Sequence, residues 1–188
     1  MNGRYDRLAA TGKDLTRWDR FMITYADGGS LRLFDPRRLG RVRLDPNLDD
    51  LGPDAGLVSA AEFAERVSGA GARRGRPPSR TKSRAPIKAR LLDQSVIAGV
   101  GNLLADEILW QARISPRRLA GDLTHTELTV LHEAVQAAVR SAIDKGGSHT
   151  GTMIDFRKAG RHCPRCGSEL SRATVGGRTT WWCPHEQV

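Results

Sequence analysis

The sequence has few aromatic residues, few cysteines and no long apolar segment. Aromatic residues make up 5% of its 188 residues, and it has 3 cysteines. An odd number of cysteines argues against a closed disulfide framework, and no stretch is apolar enough to span a bilayer. The N-terminus also lacks the apolar core and cleavage site of a signal peptide. These absences predict a soluble, cytoplasmic protein.

Acidic residues are also few, relative to basic residues. The chain has 30 Lys and Arg residues against 21 Asp and Glu residues, which gives a net charge of +9 and a pI near 10.3. A surface with this excess attracts polyanions, and nucleic acid is the commonest of them. The alternative is a generic basic protein with no specific partner.

The first part of the chain alternates in the manner of a β-hairpin. Apolar positions recur between residues 20 and 44, and Asp27-Gly28-Gly29 supplies a turn between the two halves. Ser59 and Glu62 then have the spacing of a capping box, which predicts a helix through about Val67. Residues 68–85 mix basic residues with Gly, Pro and Ser and have no apolar period. They predict a flexible basic linker that either contacts phosphates or is a solvated tether.

From Pro86 the apolar spacing becomes helical. One helix ends at Gly99-Val100-Gly101, and a second begins at Asn102. Thr124 and Glu127 form another capping box, and the helix they open has one apolar face and stops at Gly146-Gly147. Residues 161–188 contain all the cysteines and are rich in β-forming residues, so the whole chain predicts an α+β fold.

The cysteines have the spacing of a metal site. Cys163 and Cys166 lie across a tight turn, and Cys183 follows a probable hairpin, which suits a structural zinc ion. A second two-residue spacing would require cysteine at position 186, where the chain has Glu186, preceded by His185. Either side chain can complete the shell, His185 by donor softness and Glu186 by spacing. The alternative is that metal binding is lost and three free thiols remain.

The glycine-containing loop before Asn102 predicts a phosphate-binding site. Glycines let the backbone approach a ligand closely, and the N-terminus of a helix offers free N–H donors and a positive dipole end. Lys88 adds a positive charge nearby. Taken alone, a Gly-x-Gly turn is weak evidence, because it is more often a structural corner.

Together these segments resemble the formamidopyrimidine-DNA glycosylase / endonuclease VIII family. Residues 86–94 and 99–107 are similar to its helix–two-turn–helix module. The run Asp35-Pro36-Arg37-Arg38-Leu39-Gly40 is similar to the segment that the family places at the lesion. The tail with three cysteines and Arg178 resembles its zinc finger. The resemblance implies a residual N-terminal β domain in 1–56, a helix–two-turn–helix domain in 57–150 and a zinc finger in 151–188.

The resemblance also implies which residues contact double-stranded DNA. Lys88, Asn102 and Arg178 would grip the phosphates around a flipped-out nucleotide. Three further residues would enter the gap that this nucleotide leaves, namely Met1, Arg37 and Leu39, and Arg38 would lie near the DNA backbone. Met1 belongs to Met1-Asn2-Gly3, which is similar to the family's Met-x-Gly. One zinc ion would be held by Cys163, Cys166 and Cys183 with His185 or Glu186.

The chain departs from the family at the residues that carry out catalysis. The family's N-terminal proline nucleophile and the glutamate acid/base after it have no counterpart in this sequence, and covalent catalysis requires such a pre-aligned amine. The segment from Gly147 to Phe156 is also shorter than the family's loop over the everted base. We therefore expect a nucleoid-associated protein that binds damaged, abasic or distorted DNA without glycosylase activity. The alternatives are a glycosylase/AP lyase whose catalytic N-terminus is missing from this chain or supplied in trans, and a protein-interaction module.

Overall fold

The computed structural model describes residues 4–8, 16–36, 38, 40–69 and 82–188. The chain forms two compact units, Met1–Asn47 and Leu48–Val188. Met1, Arg37, Leu39 and most of the predicted basic linker lie outside the described residues. The division of the second unit into two domains near residue 150 stays a prediction.

The first unit contains an antiparallel sheet in the order β1-β3-β2. Its strands are β1 (Arg4–Leu8), β2 (Asp19–Thr24) and β3 (Ser30–Phe34). The β2–β3 hairpin turns at the predicted Asp27-Gly28-Gly29, where the Asp27 carboxylate accepts the Gly29 N–H at 2.8 Å. Gly28 has φ of 80°, which glycine adopts without steric cost. The predicted hairpin is therefore confirmed.

The second unit is built on four α-helices around one core. They are α1 (Ala60–Ser68), α2 (Ile87–Leu92), α3 (Asn102–Gln111) and α4 (His125–Asp144). Both predicted caps are present, since the Ser59 hydroxyl accepts the Glu62 N–H and Thr124 and Glu127 form a full capping box. These helices bury apolar side chains against one another, including Phe63, Leu91, Ile108, Leu131 and Val135. Each such side chain contributes roughly 1.5–3 kcal/mol to folding.

The basic linker is shorter than the sequence predicted. Ser68 is the last residue of α1, and the Ser83 N–H donates to the Ser68 carbonyl at 2.8 Å. Ser83 and Ala85 in turn accept the N–H groups of Gly121 and Ala120. The chain is thus fixed to the helical core again by Ser83, because backbone hydrogen bonds that the sequence pattern does not reveal hold it there.

The loop between α2 and α3 is held by one side chain. The Gln94 amide donates to the Val100 carbonyl at 3.0 Å and accepts the Gly99 N–H at 3.0 Å. Gly99 has φ of 98°, which disfavours any other residue there. These two hydrogen bonds fix the backbone conformation of the loop that leads into α3.

The C-terminal segment forms a second hairpin, of β4 (Ser171–Val175) and β5 (Arg178–Trp182). Gly176 and Gly177, with φ of 59° and 71°, form the two-residue turn that the right-handed strand twist favours. A Cβ at Gly176 would lie 3.0 Å from Ala89, so the turn lies against α2. No helix in the described part of the chain is long and apolar enough to cross a membrane.

Candidate nucleic-acid interface and metal centre

One backbone carbonyl of the C-terminal hairpin is a shared hydrogen-bond acceptor for residues outside the hairpin. The Thr179 oxygen on β5 accepts hydrogen bonds from Lys88 Nζ at 3.3 Å, Asn102 Nδ2 at 3.1 Å and Arg157 Nη2 at 3.5 Å. Three segments far apart in the sequence are therefore joined to β5 at this point. Arg178, the residue before Thr179, is exposed.

The Lys88 side chain approaches the Thr179 carbonyl from the interior of the protein. Its side chain is fully buried, and its ammonium lies 2.6 Å from Asp106 Oδ1 and 2.7 Å from Thr180 Oγ1. Burial lowers the pKa of Lys88, although the carboxylate of Asp106 opposes that shift. The sequence predicted a lysine that grips phosphate, and the structure places that lysine in an internal ion pair that supports β5.

Asp106 is the centre of a buried ion network. Its Oδ2 accepts from Arg157 Nε at 2.8 Å and from the Trp181 N–H at 3.3 Å, while its Oδ1 faces Lys88. The network joins α2, α3 and β5 to the segment that follows a short 3-10 helix, Ile154–Phe156. The sequence reasoning gave no role to Arg157, because it belongs to no motif and its partners are distant in the sequence.

The N-terminus of α3 is open for a ligand, as predicted. Its N-cap is Gly101, which offers no side chain to the free N–H groups of the first turn. A Cβ at Gly101 would meet no atom within 4 Å, so the space in front of the helix is empty. Asn102 begins the helix and Arg178 lies on the strand bonded to it, so two of the predicted contacts come together here.

The predicted lesion segment lies in the first unit. Asp35 is buried, and its carboxylate accepts the Gly40 N–H at 2.5 Å. Arg38 is exposed and has φ of 54°, a left-handed conformation that non-glycine residues adopt at a cost. Such strain is common at functional sites and is consistent with a role for Arg38.

The short segment after α4 packs on α3. Glu107 is buried, and its Oε2 accepts the Met153 N–H at 2.7 Å. A Cβ at Gly151 would lie 2.8 Å from the same oxygen, so only glycine fits there without a shift. Between α3, α4 and this segment lies an open cavity of about 520 Å³, lined in part by Glu107, Lys145, Ser148 and Thr150.

The three cysteines come together as predicted. Their sulfur atoms all lie within 4.8 Å of one another, and those of Cys166 and Cys183 are 3.5 Å apart. The tight turn is closed by the Gly167 N–H, which donates to the Cys163 carbonyl at 2.8 Å. Three sulfur donors at this separation suit one zinc ion.

The environment of the thiols differs from one to the next. Burial raises the pKa of Cys163, but the Trp110 indole N–H and two backbone N–H groups donate to its sulfur and bring the pKa down to about 7. Burial is the main cause that raises the pKa of Cys183 to about 11. Cys163 therefore ionises more readily near neutral pH than Cys183, and the thiolate is the form that binds metal.

Both candidates for a fourth ligand lie near Cys166. Ligand atoms of His185 and Glu186 fall within 4.8 Å of its sulfur and of each other. Glu186 is the more enclosed of the two, with 14% of its side chain exposed against 71% for His185. Arg113 and Arg165 each lie 3.5 Å from Glu186 Oε2. The carboxylate of Glu186 is therefore held between two guanidinium groups.

Comparison with known proteins identifies the class of this arrangement. A family model described as the formamidopyrimidine-DNA glycosylase H2TH domain matches residues 77–153, which include α2, α3 and α4. Formamidopyrimidine-DNA glycosylase of Streptococcus pneumoniae (strain R6) is 36% identical over 209 positions, covering all of this chain and 72% of that protein. The protein of the same name from Roseiflexus sp. (strain RS-1) is 40% identical over 179 positions, covering 86% of this chain and 62% of its own.

Solved structures agree with the sequence comparison. The Lactococcus lactis Fpg bound to DNA with an abasic site superposes with a TM-score of 0.76 and 28% identity, over all of this chain and 72% of that one. MutM in complex with DNA containing carbocyclic 8-oxo-G gives a TM-score of 0.75 at 29% identity. This chain belongs to the formamidopyrimidine-DNA glycosylase family.

Proposed function

We propose that this chain binds double-stranded DNA and prefers abasic, gapped or otherwise distorted duplexes. One observation carries the proposal: the Asn102 amide donates to the Thr179 carbonyl, so the exposed Arg178, the residue before Thr179, belongs to the strand that is bonded to the uncapped N-terminus of α3. Amide, guanidinium and helix N-terminus are all donors to phosphate. Lys88 supports this surface from below through Asp106.

The preference for distorted DNA follows because the proposed contacts are made to phosphates and not to bases. Phosphate contacts carry no sequence information, so discrimination must come from the cost of deforming the duplex. A duplex with a missing base costs less to kink and open, because stacking and pairing are already lost there. Met1, Arg37 and Leu39 are the proposed wedge that occupies the gap, and Arg38 is proposed to lie near the DNA backbone. The L. lactis relative was solved with DNA of this kind.

We further propose that the 188-residue chain does not excise bases. Its sequence contains no Pro-Glu pair that could serve as nucleophile and acid/base. Loss of a positioned nucleophile costs several orders of magnitude in rate, and DNA binding alone does not restore it.

A structural zinc ion completes the proposal. Cys163, Cys166 and Cys183 would hold it as thiolates, with Glu186 as the fourth ligand in preference to His185, because Glu186 is the more enclosed of the two and its carboxylate lies near Cys166. The ion would fix the far end of the hairpin that presents Arg178. It would supply no chemistry to DNA, since its shell is closed. A chain with this function is expected at the nucleoid.

One observation favours a second candidate, a glycosylase/AP lyase whose catalytic residues come from another segment or polypeptide. The cavity beside Glu107 and Ser148 is a candidate pocket for an everted base. Such a pocket is of use only if a nucleophile reaches the sugar beside it. A protein-interaction role is the third candidate, and no described contact favours it.

One set of assays separates these candidates. The purified chain is titrated into a labelled abasic duplex, and the same mixtures are treated with borohydride. We expect retention of the duplex, a loss of affinity of tenfold or more for Arg178→Ala, and no rapid borohydride-trapped adduct. A fast, stoichiometric adduct with an oxidised-guanine duplex would overturn the non-catalytic proposal. Absence of any DNA binding would overturn the proposed function.

A further inference from the structure

The buried ion network at Asp106 is not electrically balanced. Lys88 and Arg157 contribute two positive charges, and Asp106 contributes one negative charge. No other acidic group lies within ion-pair distance of these three among the described residues. Among the described residues, one positive charge of this network therefore has no counter-ion.

The excess charge can reach solvent at only one member of the network. The side chains of Lys88 and Asp106 are 0% exposed, whereas that of Arg157 is 12% exposed. Arg157 is held by Nε on Asp106 and by Nη2 on the Thr179 carbonyl, the same oxygen that accepts from Asn102. Its guanidinium thus lies next to the two residues that carry the proposed phosphate contacts.

We propose that Arg157 is a further DNA-contacting residue, which binds a backbone phosphate together with Asn102 and Arg178. The inference rests on the proposed function and extends it by one residue. A guanidinium in a fixed orientation is well suited to phosphate, because little side-chain freedom is lost when the contact forms. The uncompensated charge is neutralised when the phosphate arrives.

The competing explanation is that Arg157 only holds the hairpin in place. Two variants separate the explanations, because they break the same ion pair with opposite effects on charge. Arg157→Gln removes the ion pair and the positive charge. Asp106→Asn removes the ion pair, keeps an amide oxygen as acceptor, and leaves two positive charges without a counter-ion.

The experiment measures affinity for an abasic duplex as a function of salt concentration. Arg140→Gln, which removes an exposed arginine of α4, is the control for a general loss of charge. We expect Arg157→Gln to bind about tenfold more weakly or worse and to lower the slope of log K against log salt by about 0.9. Asp106→Asn should keep the wild-type slope or steepen it, and Arg157→Lys should keep the slope as well.

Each outcome has one meaning. If Arg157→Gln and Asp106→Asn weaken binding by the same factor with the same change in slope, Arg157 is structural and the inference is overturned. If Arg157→Gln behaves like Arg140→Gln, the inference is overturned too. If Asp106→Asn does not fold, the salt slopes of Arg157→Lys and Arg157→Gln are compared instead. Equal slopes for these two variants would overturn the inference. A wild-type chain that does not bind the duplex contradicts the proposed function instead.

Discussion

The two ends of the C-terminal hairpin are held by different physical means. The end at Arg178 is fastened by the ion network of Lys88, Asp106 and Arg157, all of which the chain supplies itself. The end at Cys183 lies among three thiols that suit an ion from solution. The end proposed to contact DNA and the end proposed to bind metal are thus held by separate contacts, so a variant that disrupts one end should leave the contacts of the other end in place.

Removal of metal should have the largest effect. Binding of structural zinc is strongly coupled to folding, so a chelator or Cys163→Ser should lower the melting temperature by about ten degrees or more. His185→Ala is the matched control and should leave the melting temperature close to wild type. Calorimetry with parallel elemental analysis makes the measurement. Protein that contains no zinc as purified and does not change with chelator would contradict the metal proposal.

Loss of the buried lysine ranks second. Lys88→Met leaves the Asp106 carboxylate with one cationic partner fewer, and breaking a buried ion pair costs about 3–5 kcal/mol. The double variant Lys88→Met with Asp106→Asn also takes the carboxylate away from Arg157, so it should be no more stable than the single variant. Urea denaturation of the zinc-loaded protein measures both. If the single variant is as stable as wild type, the network does not fasten this end of the hairpin.

The fourth metal ligand gives a smaller effect. Glu186→Cys should tighten zinc retention against a competing chelator, because thiolate is a softer donor than carboxylate. Glu186→Gln should weaken retention, and His185→Ala should not change it. Equal weakening by Glu186→Gln and His185→Ala would show that Glu186 is not the preferred ligand.

The smallest effect concerns the cap of α4 and its dependence on pH. The Thr124 N–H and the Arg118 guanidinium donate to Glu127 and lower the pKa of its carboxyl group. A group whose folded-state pKa is depressed stabilises the protein above its unfolded pKa, and that contribution is lost as pH falls through the folded pKa. Glu127→Gln should therefore cost about 1 kcal/mol at pH 7 and progressively less in acid. A pH-independent loss in thermal melts would contradict this.

Local features of the fold could be predicted from the sequence, and long-range pairs could not. The turns at Gly28 and Gly176-Gly177 and the caps at Ser59 and Thr124 depend on residues within a few positions of one another. Each was therefore visible as a short pattern, and each is present. The meeting of the three cysteines was predicted for the same reason, since metal-ligand spacing is a local signature.

The candidate interface contains long-range contacts that the sequence did not predict. The sequence predicted Lys88 as a phosphate contact, but its side chain is buried, and the nearby carboxylate of Asp106 offsets its desolvation cost. Arg157 has no motif around it, and its position depends on how residues after α4 fold back onto β5. Pairs separated by dozens of residues are set by tertiary packing, which a pattern in one sequence does not encode.

The central claim is that the surface at Asn102 and Arg178 recognises duplexes that are already distorted. The direct measurement is fluorescence anisotropy with two duplexes of identical length and sequence, one intact and one with a single abasic site, at the same salt concentration. The account predicts at least about tenfold tighter binding to the abasic duplex, because an intact duplex must first be unstacked at a cost of a few kcal/mol. It also predicts that Arg178→Ala weakens binding to both duplexes. Equal affinity of the wild-type chain for the two duplexes would contradict the claim.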